Sequence, residues 1–159
     1  MNTKTKKLSR GAMIAAIYVV LTLIANALGL ANGAIQVRLS EALTVLPIFF
    51  PEAIAGLGVG CFISNLITGC ALPDIVFGTF ATLLGAVGTR IFKKSRPLAM
   101  LCPVVSNSII VPFVLKFAYG LGDVWYYLAF TVCIGEVISC VVLGGLVIKM
   151  TDKHYNILK

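Results

Sequence analysis

Charge is what this sequence has least of. Only 12% of its residues are Asp, Glu, Lys or Arg, against about 25% in an ordinary soluble domain. That is too little to coat a water-soluble globule. Acids number six against thirteen bases. The resulting +7 forms no stripe, because the cations gather at the ends of apolar runs. This argues against nucleic acid as a partner and for an anionic membrane face. There is one histidine, His154, in a polar tail. No Ser/His/Asp set, HExxH motif or Walker loop occurs, so no enzyme is expected. The cysteines (Cys61, Cys70, Cys102, Cys133 and Cys140) are odd in number and lack CxxC spacing. A metal site or disulfide framework is therefore not expected, and they read as small buried hydrophobes. Low-complexity segments and fixed-period repeats are also missing.

What fills the chain is apolar. Hydrophobic residues make up 59% of it, and mean hydropathy is +1.01. A membrane span needs about 20 predominantly apolar residues, and such runs recur. The expected fold class is an all-α integral membrane protein, with residues 1–159 as a single membrane domain. Residues 1–10 form a basic head and 151–159 a tail. The expected spans are Gly11–Leu28, Ala34–Phe50, Glu52–Leu72, Asp74–Phe92, Pro97–Tyr119 and Asp123–Met150.

Ala34–Phe50 is the short one. Its helical part, Ser40–Phe50, rises only ~16 Å as an α-helix, against a hydrocarbon core of ~30 Å. Charge parity bears on it. Lys4, Lys6, Lys7 and Arg10 precede the first span; Arg90, Lys93, Lys94 and Arg96 surround the fourth connection; Lys149, Lys153 and Lys159 follow the last span. The positive-inside rule places all three clusters in the cytoplasm. The short segment must then cross too, tilted or with buried irregular backbone. The expectation is six transmembrane helices with both termini cytoplasmic. Arg38 and Lys116 remain near the outer side. Residues 4–27 also resemble a signal peptide, but the apolar stretch is longer than a usual h-region and more spans follow, so retention is expected.

Small residues recur at i, i+4 spacing: Ala12 and Ala16 in span one; Gly56, Gly60, Ser64 and Thr68 in span three; Asp74, Gly78, Thr82 and, slightly offset, Gly85 in span four. Such ridges let helix backbones approach closely. In spans three and four they read as internal packing. Ala12 and Ala16, at the cytoplasmic start of span one, suit a partner-docking face.

Polar groups inside spans are costly and usually face a cavity or one another. Glu136 lies thirteen residues into the last span, ~20 Å from its outer end. Trp125 is eleven residues earlier, close to three turns, so the two share a face. Asn107 lies between Pro103 and Pro112, which leave the carbonyls of Ala99 and Ser108 without their helical donors. Asn65 is the buried amide of span three. Asp74 follows Pro73 and reads as an N-cap. Arg38 and Glu41, three apart, suit an ion pair at the outer surface, although Glu41 also counts among the inward acceptors. The inward groups are acceptor-rich. A carboxylate takes two parallel N–H bonds from an amidine-like edge, and an indole offers a stacking face. A small planar heterocycle with donors on one edge fits this set.

The run Gln36-Val37-Arg38-Leu39-Ser40-Glu41-Ala42-Leu43-Thr44-Val45-Leu46-Pro47 resembles the signature of the QueT family. The likeness continues through Gly60-Cys61, Asn65, Asp74-Ile75-Val76-Phe77-Gly78, Ala81-Thr82-Leu83, Asn107 and Gly135-Glu136. QueT proteins are substrate-binding S components of energy-coupling factor (ECF) transporters. The resemblance implies a six-helix S-component bundle in a bacterial cell membrane, with queuosine precursors as substrates: the 7-deazaguanines preQ1, preQ0 or queuine. It implies partners, namely an energy-coupling transmembrane subunit and two ATPase subunits that use the ATP, and no cofactor in this chain. Ala12 and Ala16 match the docking pattern of such units. Glu136 would accept the N1–H and exocyclic amine of the deazaguanine, and Asn107 would address another ring atom. Trp125 would stack on or close the slot, Glu41 or Asp74 would meet the aminomethyl cation of preQ1, and Arg38 would orient the outer loop. The alternative reading is a stand-alone carrier or channel, with Asn107 and Glu136 lining its path.

Overall fold

The computed structural model describes residues 2–30, 36–120, 122 and 124–158. The described residues are all helical or connecting, with no strand. α1 is Thr3–Ala27, followed by a 3-10 helix, Leu39–Ile48. Then come α2 (Ala53–Ile67), α3 (Leu72–Ile91) and α4 (Arg96–Phe117). The last run is α5 (Trp125–Glu136), a π turn (Val137–Leu143) and α6 (Gly144–Leu158). The span starts expected at Ala34 and Asp123 lie outside the described residues. Among the described residues four helices are long and apolar enough to cross a membrane: α1, α3, α4 and the continuous stretch Trp125–Tyr155. The 3-10 helix and α2 are shorter apolar helices. Large side chains such as Met13, Phe62, Phe77, Phe80, Ile109 and Phe130 face outward, as a lipid solvent requires.

The basic head is part of α1, which starts at Thr3 with Asn2 as its cap. No Gly or Pro interrupts residues 3–10, and Lys, Leu and Arg are good helix formers. At the other terminus α6 continues through the tail. Arg10, Arg90, Arg96 and the start of the tail gather at one end of the bundle. Arg10 pairs with Glu52 and lies 4.3 Å above the Phe50 ring. Arg90 donates to the carbonyls of Pro47 and Ile48, Arg96 pairs with Asp152, and Tyr155 packs on Phe49 and Phe50. Asp74 and Tyr119 mark the opposite end, joined by a 2.9 Å hydrogen bond.

The short segment sits at the centre. The 3-10 helix touches α1, α2, α3, α4, α6 and the π turn, and nearly every residue from Ser40 to Pro47 is buried. It runs alongside α3. Thr82 of α3 donates to Glu41 at 3.1 Å, and Arg90, eight residues on, donates to Pro47, six residues on. At ~2.0 Å per 3-10 residue and ~1.5 Å per α residue both paths climb about 12 Å. An α-helix over the same six residues would climb only about 9 Å. Local chemistry favours the tighter winding. The Thr44 hydroxyl donates to the Glu41 carbonyl three residues back, and Pro47 has no N–H to donate.

Small residues set the helix spacing as expected in span three. Gly56 lies against the Gly11 backbone, and Gly60 against Tyr18 and the Ala15 carbonyl. On α3 the expected packing ridge divides. Gly85 packs on Pro103, whereas Asp74 and Thr82 turn into the polar interior. The Ala99 carbonyl, deprived of its helical donor by Pro103, accepts from the Thr89 hydroxyl at 2.9 Å. α4 therefore remains one helix through both prolines.

A Cβ on Gly56 would sit 2.5 Å from the Gly11 carbonyl oxygen, whereas one on Gly145 meets nothing within 4 Å. Gly56→Ala is expected to lose about 1–3 kcal/mol by forcing α1 from α2. Gly145→Ala should gain up to about 1 kcal/mol of helix propensity. Thermal unfolding of the two variants in detergent checks the opposite signs.

Candidate functional site

The polar groups of the spans converge inside the bundle. Glu41 has no exposed surface. Its Oε1 accepts from the Tyr18 hydroxyl at 2.5 Å and from the Thr82 hydroxyl at 3.1 Å, while its Oε2 has no partner. Glu136, 3% exposed, ends α5 where the π turn begins. Its Oε2 accepts from the Cys140 thiol at 3.3 Å. One carboxylate oxygen from each of Glu41 and Glu136, with the Cys140 sulfur, lie within 4.8 Å of one another. Two carboxylates and a thiol can hold a soft divalent cation or a group rich in N–H donors, a juxtaposition the sequence spacing did not show.

Asn107 comes from α4 to the same place. It is fully buried and stands beside Glu136, yet neither polar atom of its amide closes a hydrogen bond of good geometry. Arg38, at the start of the 3-10 helix, lies within electrostatic range of Asp74, Tyr18, Glu41 and Glu136. Asp74 and Asn65 sit together over Gly78, whose missing side chain leaves room for both. The Asp74 Oδ2 accepts from Tyr119, and its Oδ1 is unpartnered. The unpartnered atoms in this region are mostly acceptors. Buried polar groups left this way cost stability unless a ligand or water satisfies them.

Several expectations are corrected here. Asp74 is not the N-cap of its helix. Ala71 holds that position and Pro73 lies in the first turn, and the Asp74 side chain instead accepts from Tyr119. Glu41 is not at the outer surface, and among the described residues no ion pair joins it to Arg38 within 4 Å. The 3-10 winding carries it into the core, where Tyr18 and Thr82 hold it. Trp125 stays at the far end of α5, about 16 Å of helix from Glu136, with its ring 5.4 Å from Phe113 and its indole N–H buried without a partner. Ala12 and Ala16 lie on the exposed face of α1, remote from the polar cluster. Tyr18 was missed, as were the polar roles of Thr82, Cys61 and Cys140. The available signal was a tyrosine in mid-span with Thr22 one turn on, which donates to Ser40 at 2.9 Å.

The first residues of the central segment close over this cluster. The Gln36 carbonyl lies so close to Gly135 that no Cβ fits between them. Glycine is required there by this approach of backbone to backbone.

An apolar exterior around an internal set of carboxylates and amides defines a class: a helical membrane protein with a polar interior. Residues 8–153 match the QueT transporter family, and the chain belongs to that family. It is 30% identical over 94 residues to a protein named queuosine precursor transporter QueT, from Lactococcus lactis subsp. cremoris (strain MG1363). The alignment covers 59% of this chain and 56% of that relative, little more than half of its length. No solved structure matches. The family is one of transporters, in keeping with a multi-pass membrane protein.

Gly135→Ala is expected to push Gln36 and the start of the 3-10 helix off α5. Hydrogen exchange across residues 36–41 should then speed up by about tenfold or more, the signature of a lost local closure, while exchange in α3 stays unchanged.

Proposed function

We propose that this chain is the substrate-binding S component of an ECF-type importer, capturing a 7-deazaguanine precursor of queuosine. The observation that carries the reading is the set of unpartnered groups in the core: Glu41 Oε2, Asp74 Oδ1 and both polar atoms of Asn107. They ask for a ligand with several N–H donors and one acceptor. The 2-amino-pyrimidinone edge of a deazaguanine has an N1–H, an exocyclic amine and a carbonyl. Glu136 takes the donors, and the Asn107 amide N–H₂ meets the carbonyl. Asp74 and Arg38, toward the opposite end from the basic clusters, face the substituent on the five-membered ring. Asp74 suits an aminomethyl cation. Trp125, being far from Glu136, closes the mouth of the slot rather than stacking beside the carboxylates. Asn65 supports Asp74 over Gly78.

The chain crosses the membrane six times with both termini in the cytoplasm. The 3-10 helix and α2 complete the four long helices, and the clustering of Arg10, Arg90 and Arg96 at one end supports this by the positive-inside rule. Ala12 and Ala16 offer a small-residue face for an energy-coupling transmembrane subunit, which carries two ATPase subunits. The bundle then topples to release substrate inside.

Calorimetry with preQ1, preQ0, queuine and guanine tests the substrate. Tight binding of a deazaguanine is expected, weakened at least about tenfold in Glu136→Gln; no binding by any of the four overturns the assignment. Replacing Ala12 and Ala16 together with Leu should abolish co-purification with the energy-coupling subunits while binding is kept. Uptake into liposomes by the chain alone would favour the rival stand-alone carrier.

A further inference from the structure

We infer that Glu41 and Glu136 form a two-carboxylate clamp for one primary amino group of the ligand, and that Tyr18 is the positioning residue that sets it. This rests on the proposed binding of a guanine-type edge. The Glu41 carboxylate has two oxygens with different duties. Oε1 is occupied by two hydroxyl donors, Tyr18 from α1 at 2.5 Å and Thr82 from α3 at 3.1 Å. Oε2 is buried and has no partner. Two donors on one oxygen, from two different helices, fix the plane of the carboxylate and leave the other oxygen as a committed acceptor.

Geometry then picks the ligand group. A carboxylate oxygen of Glu41 and one of Glu136 lie no more than 4.8 Å apart. A nitrogen about 2.9 Å from each would see them at an angle of at most about 110°. A primary amino group, planar (H–N–H about 120°) or a tetrahedral ammonium (about 109°), can then aim one hydrogen at each acceptor. A ring N–H has one hydrogen and cannot bridge the pair this way. On the proposed binding of a guanine-type edge, the group that meets the pair is the exocyclic amine. Cys140 donates its thiol hydrogen to Glu136 Oε2 and so steadies the second arm.

Tyr18 is well placed to set the clamp rather than touch the ligand. Its ring is fixed by Gly60, where any Cβ would lie 2.8 Å from the tyrosine Cβ, and its hydroxyl is directed at Glu41. Removing that hydroxyl frees the carboxylate to rotate and leaves the α1 and α2 packing in place.

The test is a ratio. Affinities of the detergent-purified protein for 7-deazaguanine and for 7-deazahypoxanthine, which lacks only the 2-amino group, are measured for wild type, Tyr18→Phe, Thr82→Val and Glu41→Gln. Wild type is expected to prefer the amino ligand by at least about tenfold. Tyr18→Phe should shrink this preference several-fold by weakening the amino ligand alone, and Glu41→Gln should nearly erase it. A Tyr18→Phe or Thr82→Val protein that loses both ligands equally, with the preference intact, overturns the positioning role. A wild type with no preference overturns the clamp. If Glu41→Gln fails to fold, the two hydroxyl variants still decide the matter. Failure of wild type to bind either ligand refutes instead the deazaguanine reading on which the clamp stands.

Discussion

A carboxylate with no exposed surface, placed in the middle of a bundle whose outside is hydrocarbon, constrains everything around it. Burying such a charge costs several kcal/mol unless hydrogen bonds and counter-charge offset it. Glu41 obtains two hydroxyl donors from α1 and α3 and lies in the field of Arg38. The Cys140 thiol adds a weak contact to its backbone carbonyl at 3.6 Å. These partners belong to separate helices, so satisfying one side chain fixes the relative placement of α1, α3, the 3-10 helix and the π turn. The glycines at Gly56 and Gly60 let α1 and α2 come close enough for Tyr18 to sit at the required depth.

The two non-α windings belong to the same arrangement. Glu41 rises from the first turn of the 3-10 helix, and Glu136 immediately precedes the π turn. The 3-10 helix stretches a short segment to keep pace with α3. A π turn leaves backbone carbonyls poorly paired, and the Ser139 hydroxyl donates to the Gly135 carbonyl at 2.9 Å. Irregular backbone at this depth is tolerated where protein covers it, and the two windings pack on each other. Both acids stand where regular α-helical geometry is given up, and π turns often mark functional sites.

Much of this was legible from residue types. Apolar runs located the helices, because a span must be apolar for its whole length. Glu136 and Asn107 were legible as isolated polar groups in such runs. The small residues at Gly56 and Gly60 announced a close helix contact. What could not be read was direction in three dimensions. An i, i+3 spacing of Arg38 and Glu41 looks like a surface pair on an α-helix. On a 3-10 helix wrapped by other helices it became a core acid held by hydroxyl groups, with no ion pair to Arg38 among the described residues. Asp74 after Pro73 resembles a cap because local sequence says nothing of Arg38 across the bundle. Tyr18 went unnoticed because a tyrosine in an apolar run is chemically ambiguous until its hydroxyl has a partner.

α1 carries two faces with different duties, and their proximity bears on mechanism. Gly11, Ile14, Ala15 and Tyr18 face inward, while Ala12, Met13, Ala16 and Ile17 face out. Only the thickness of one helix, about 10 Å with its side chains, separates the exposed alanines from the hydroxyl that holds Glu41. On the proposed reading, a partner seated on the outer face presses on the same rigid element that orients the ligand's carboxylate. A shift or tilt of α1 by a fraction of an ångström lengthens a 2.5 Å hydrogen bond, whereas the packed contact of Gly56 on Gly11 resists separation of α1 from α2. Motion of the bundle as one body therefore costs less than opening it helix by helix. Such a motion leaves the internal hydrogen bond from Tyr18 to Glu41 intact and keeps the buried acids out of lipid.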